Sequence, residues 1–233
     1  MSDWKPPTGG ALDDTKWPET LVAKAIEPVA DDDRLHGYSV LGDLARHYAY
    51  SDVIYLSLVG ELPDESQSTL FRVAMGSLAT PTVNEAPSHV GLLGRICGGA
   101  LASSIAAATI ALADQARTIV QRHAELRAWL AAPTDAPPAS ACDPADAAWV
   151  RTLCETLAIS GTPTRTVRHE MSRDAARLCV LFEAGLVTAD QMEAALVAAR
   201  ISGVTAELLL ATPRDLGLYP VKLPPFHYVE DGR

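Results

Sequence analysis

The sequence predicts an all-α protein, and three observations carry that expectation. The chain has 38 alanines against 13 aromatic residues, and alanine is the strongest helix former. Hydrophobic residues make up 48% and charged residues 21% of its 233 positions, enough to bury a core without disulfide or metal staples. Apolar residues recur at helical spacing between Gly and Pro punctuation. This composition argues against a β-sandwich or barrel.

The elements follow in order. Residues 1–37 are rich in Pro, Gly and Asp and read as an extended arm that reaches a turn at His36-Gly37-Tyr38. From Ser39 the spacing of Leu41, Leu44, Ala45 and Tyr48 is helical. Ser51 and Asp52 offer an N-cap to a short apolar helix through Val53, Ile54, Leu56 and Leu58, which Gly60 stops. Pro63 opens the next helix, marked by Leu70, Val73, Ala74 and Leu78. Residues 80–90 form a Pro-marked polar loop. Residues 92–131 are helical, with a break at Gly98-Gly99. Residues 133–146 hold four prolines without periodicity and form a linker. Asp143-Pro144 starts a helix that ends at Gly161. A further helix spans 164–184, with Gly185 as its stop. Thr188 to Gln191 is a capping-box pattern opening a last helix, which Gly203 breaks before Ala206–Leu210. The tail from Tyr219 is extended, with anchors at Tyr219, Phe226 and Tyr228.

The formal charge of −10 excludes a general nucleic-acid coat or a polybasic membrane binder. Cys97, Cys142, Cys154 and Cys179 show no metal-type spacing, and so few cysteines make no disulfide scaffold. No metal site is expected, and buried thiols in a reducing cytoplasm are the expected state. The N-terminus lacks the apolar core of a signal peptide, and the longest apolar stretch, 96–113, falls short of a membrane span.

One stretch, HGYSVLGDLARHYAYSDVIYLSLVGELP at 36–63, carries a pattern in order and spacing: Gly37-Tyr38, Asp43-Leu44, Val53, Tyr55-Leu56 and Gly60-Glu61-Leu62-Pro63. It resembles the N-terminal signature of the citrate synthase and citryl-CoA lyase superfamily. Trp17 is similar to the W-x-T opening of the shorter lyase-like members. The segment AARISGVTAELL resembles the family's G-R-x-x-G-x-x-A-H, with Arg200, Gly203 and Ala206 matching and Glu207 in place of the histidine. The resemblance implies a citrate synthase-like helical homodimer with a large domain and a reduced small domain. Its expected boundaries are 1–132 for the large domain with its arm, 133–202 for the small domain and 203–233 for a segment returning to the large one. It also implies a cytoplasmic protein with no bound cofactor and with a coenzyme A thioester and a small carboxylate as substrates.

The resemblance places candidate residues one by one. Ser88 and Arg95 fall on the family's substrate-binding loop and helix, and Arg200 falls on its carboxylate-binding arginine. His89 stands near the place of the substrate-binding histidine, or is an ordinary loop histidine. His123 stands near the enol-stabilising histidine but lacks its flanking glycines; beside Arg122 and Arg127 it also reads as a surface histidine. Glu170 occupies the position of the catalytic aspartate, with Asp174 as a second candidate. A glutamate beside Arg168 on a helix is also an ordinary ion pair. Arg165, His169, Arg173 and Arg177, spaced by four, form a basic stripe on one helix face. That stripe is either a coenzyme A site or a solvated or dimer surface. The loop that brings the family's second catalytic histidine has no counterpart here. Two functions follow: a synthase or lyase making or breaking a carbon–carbon bond, or a degenerate member that binds coenzyme A or a carboxylate, or regulates a partner.

Overall fold

A computed structural model describes residues 24–134 and 136–212. The expectations for Trp17 and for the tail from Tyr219 lie outside them. Among the described residues the regular elements are helices apart from one small sheet, as composition predicted. The chain divides into two compact units, Met1–Ala49 and Tyr50–Arg233.

In the first unit, β1 (Ile26–Glu27), β2 (Arg34–Leu35) and β3 (Tyr38–Ser39) form an antiparallel sheet in that order. His36-Gly37 makes the tight turn foreseen there. A π-helical turn over Val40–Leu44 runs into α1 (Ala45–His47). The Asp32 carboxylate organises this start. It accepts from the Leu41 and Gly42 N–H groups at 2.9 and 3.1 Å and from the Ser39 hydroxyl. These bonds, that of Ser39 foremost, hold its carboxyl below the usual aspartate range.

The second unit holds α2 (Tyr50–Val59), α3 (Glu65–Leu78), α4 (Ala86–Ile96), α5 (Leu101–Arg122), α6 (Ala124–Ala131), α7 (Ala147–Ile159), α8 (Arg173–Glu183) and α9 (Ala189–Leu210). Capping boxes open α3 at Asp64 and α9 at Thr188. Tyr55 is 2% exposed; its ring meets Phe71 edge-on at 5.4 Å and its hydroxyl donates to the Ala184 carbonyl at 2.9 Å. Gly185, at φ +104°, closes α8 there, and a Cβ on it would stand 2.6 Å from the Tyr55 oxygen. The family-like Tyr55-Leu56 pair is thus core. A continuous core joins α2, α3, the C-terminal half of α5 and α6 through α9, while Ala108, Val204 and Leu208 form a smaller cluster between α5 and α9.

Four expectations need correction. Residues 80–90 are not all loop, because α4 begins at Ala86 with Pro87 in its first turn. Residues 164–172 are not helical. The N–H groups of Arg165 and Thr166 donate to the Glu183 carboxylate at 3.0 and 2.7 Å instead of to helix carbonyls. Ser172 then caps α8, accepting from the Ala175 N–H at 3.2 Å. The basic stripe therefore does not exist as one helix face: Arg165 and His169 sit in this loop, and Arg173 and Arg177 on α8. Last, α9 is unbroken at Gly203, which serves instead as a contact point. A Cβ there would lie 2.0 Å from the Ala79 carbonyl oxygen and 2.7 Å from Pro81 Cδ. Because a backbone oxygen cannot rotate away, Gly203→Ala is expected to destabilise the fold by about 2 kcal/mol or more in denaturant melts. A melt equal to the wild type's would contradict the close approach.

Candidate functional site

The second unit contains a cleft of about 1410 Å³, walled by α3, α5, α7, α8 and α9 and by the loops before α4 and α7. Of the residues singled out from sequence, His123, Arg173, Asp174, Arg177 and Arg200 line it. Ser88, His89, Arg95, Arg165 and Glu170 are not among its lining residues.

Arg200 stands on α9 and is 5% exposed. A guanidinium that deep needs partners, since an unpaired buried charge is costly. Its Nη2 donates to Glu85 Oε2 at 2.6 Å and its Nη1 to Gln115 Oε1 at 2.7 Å, while its Nε is buried without an acceptor. Glu85 precedes α4. Its Oε1 accepts from the Thr82 N–H at 2.8 Å and its Oε2 also accepts from Gln115 Nε2 at 2.9 Å. Burial pushes the Glu85 carboxyl up, but the Thr82 and Gln115 bonds and the Arg200 charge outweigh it and hold it below its ordinary value. Neither Glu85 nor Gln115 was foreseen from sequence; the partners lie 115 and 85 residues from Arg200.

Arg177 forms the next part of the wall. Its Nη2 donates to the Ser77 carbonyl at 2.7 Å and its Nη1 to Asp174 Oδ1 at 3.2 Å. Its guanidinium lies 4.7 Å from the centre of the Trp149 ring, and that of Arg173 lies 5.6 Å from the same ring. Burial lowers the Arg177 pKa, with Asp174 opposing and Arg200 adding to the effect. Arg173 is half-exposed and pairs with Asp146 at 2.7 Å. Asp174 lies in the first turn of α8, where the helix N-terminus favours its negative charge.

His123, at the junction of α5 and α6, is 4% exposed, which corrects the surface reading. Its Nδ1 lies 2.9 Å from the Ile119 carbonyl oxygen. A carbonyl only accepts, so Nδ1 carries a proton and donates to it. Cys142 also lines the cleft; burial, then the Glu170 charge, push its thiol up, so it is no ready nucleophile.

The remaining candidates stand outside the cleft lining. Arg95 ties helices together, donating from Nε to the Leu208 carbonyl at 3.2 Å and from Nη1 to that of Gly99 at 2.7 Å. Ser88 is fully buried. His89 is half-buried on α4, and Arg165 is exposed in the α7–α8 loop. Glu170 is an exposed turn residue whose carbonyl accepts from the Asp143 N–H at 2.8 Å. Among the described residues no group of three or more His, Cys, Asp or Glu is placed to hold a metal ion, and no helix is long and apolar enough to cross a membrane.

This architecture is similar to citryl-CoA lyase from Hydrogenobacter thermophilus, with a TM-score of 0.60 over 91% of this chain and 99% of that chain at 14% identity. The chain has a citryl-CoA lyase-like fold. It is also similar to a mutant Methanosaeta concilii ATP citrate lyase in complex with (3S)-citryl-CoA, with a TM-score of 0.58 at 12% identity. That match covers 94% of this chain and 43% of the other, so the chain spans under half of that protein's length. No family model and no curated protein matches the sequence.

The Glu85–Arg200 contact has a pH signature. A carboxyl held below its unfolded value stabilises the fold above that value, near 4.5, and the contribution is lost as pH falls through the lower folded pKa. Glu85→Gln is therefore expected to cost about 2 kcal/mol at pH 7, and its gap to the wild type should narrow in melts as the pH falls below that unfolded value. A gap that stays constant across this range would contradict the ion pair.

Proposed function

We propose that this chain acts on a coenzyme A thioester in the cleft, making or breaking a carbon–carbon bond to an oxo acid such as oxaloacetate. The observation that carries this reading is the convergence, in a citryl-CoA lyase-like fold, of Arg200, Arg177, Asp174 and His123 on one cleft. In the bond-forming direction the Asp174 carboxylate takes a proton from the carbon next to the thioester carbonyl. The resulting enolate attacks the keto carbon, and His123 donates from Nε2, in its protonated form, to the oxyanion that develops. Cleavage runs the same proton transfers backwards. Asp174 takes the role expected of Glu170, and His123 acts without His89, since neither Glu170 nor His89 lines the cleft. Arg173 and Arg177 offer cations for coenzyme A phosphates or a carboxylate; Arg165 does not line this wall. Two copies of the chain forming a homodimer in the cytoplasm fit the same reading.

A second reading is favoured by one observation. Arg173, Arg177 and Arg200 each already face a carboxylate of the chain itself, and His123 is the one histidine among the cleft residues. That arrangement suits a protein that binds a thioester or carboxylate without turning it over. Incubation with citryl-CoA, followed by release of keto acid, and separately with acetyl-CoA and oxaloacetate, followed by consumption of keto acid, separates the two. The enzyme reading predicts turnover that Asp174→Asn and His123→Asn each reduce by about 100-fold or more. A ligand-induced thermal shift without turnover supports the binder. Turnover unaffected by both substitutions would overturn the residue assignment.

A further inference from the structure

We infer that Glu85 determines specificity in the cleft: it neutralises Arg200 from within the chain and leaves that corner for an uncharged oxygen acceptor, a carbonyl or hydroxyl, in place of a carboxylate. The inference rests on the cleft being a substrate site, as proposed above, and deepens that reading.

A guanidinium carries five N–H donors. One is directed to Glu85 and one to Gln115, at 2.6 and 2.7 Å. The Nε has no acceptor although it is buried. Arg200 therefore lines the cleft with donors to spare while its charge is already matched.

Glu85 is also firmly held. Its Oε1 takes the Thr82 N–H at 2.8 Å, and its Oε2 takes Gln115 Nε2 at 2.9 Å besides Arg200. Swinging Glu85 away would strand a backbone N–H, an amide and a buried cation together. A substrate carboxylate reaching the remaining Arg200 N–H groups would stand beside this fixed negative charge. The repulsion from Glu85 offsets the attraction from Arg200. A keto, hydroxyl or thioester oxygen meets no such repulsion and accepts from a remaining Nη N–H of Arg200. The substrate class is an acyl-coenzyme A whose acyl group presents an uncharged oxygen to Arg200, any carboxylate being held elsewhere.

Calorimetric titration of the full chain with citrate near pH 7 tests the role of Glu85 directly. Glu85→Gln, which keeps the size and hydrogen-bonding reach of the side chain, is expected to bind citrate at least about tenfold more tightly than the wild type. That gain should vanish in the Glu85→Gln/Arg200→Gln double variant. Among four-carbon thioesters, the wild type should prefer acetoacetyl-CoA to succinyl-CoA by at least about tenfold, and Glu85→Gln should erase the preference. Equal citrate affinity in the wild type and Glu85→Gln overturns the inference, as does succinyl-CoA binding the wild type as tightly as acetoacetyl-CoA. If a thermal melt shows that Glu85→Gln does not fold, the preference of the wild type between acetoacetyl-CoA and succinyl-CoA decides the inference by itself. If no thioester binds at all, the coenzyme A reading fails, and the citrate comparison still decides the role of Glu85.

Discussion

A guanidinium buried on α9 is the constraint from which the rest of the cleft follows. Arg200 is stable at that depth because α5 brings Gln115 and the segment before α4 brings Glu85 to its terminal nitrogens. The contact thereby fixes three parts of the chain around one charge. The close approach of Gly203 to Ala79, less than one helical turn further along α9, holds the same helix against the end of α3. Together they set the depth of the cleft and the position of its most buried wall.

A further part of the wall is organised by aromatic and ionic contacts of α8. Trp149 on α7 lies beside the guanidinium groups of both Arg173 and Arg177, and each arginine has its own carboxylate, Asp146 and Asp174. The cleft thus presents alternating charges in place of a uniformly basic surface. Its lining holds four arginines, at 122, 173, 177 and 200, against five carboxylates, at 85, 114, 143, 146 and 174. That balance favours ligands bound by matched hydrogen bonds over ligands drawn in by bulk positive potential.

Features written into local sequence were legible. The Thr188 capping box, the Gly185 stop and the break near Gly98-Gly99 depend on neighbours within a few residues, and they stand as expected. So does the Tyr55-Leu56 core pair, because a helix buries residues at its own period. Features decided by distant partners were not legible. Glu85 looks like any loop acid until Arg200 and Gln115 arrive from α9 and α5. The start of α8 was misplaced because Glu183, 17 and 18 residues away, takes the N–H groups of Thr166 and Arg165. His123 read as a surface residue because arginines flank it in sequence, but the break between α5 and α6 turns it inward against the Ile119 carbonyl. The one signal available for Glu85 was its place just before Ala86-Pro87, a helix start at which an acidic residue is favoured.

The most direct test of this account is a crystal structure of the chain with a bound coenzyme A thioester. The account predicts the thioester in the cleft between Trp149 and Arg200, with an uncharged acyl oxygen on Arg200 and the Glu85–Arg200 hydrogen bond intact. A thioester seated away from this cleft, or a substrate carboxylate on Arg200 with Glu85 displaced, would contradict it.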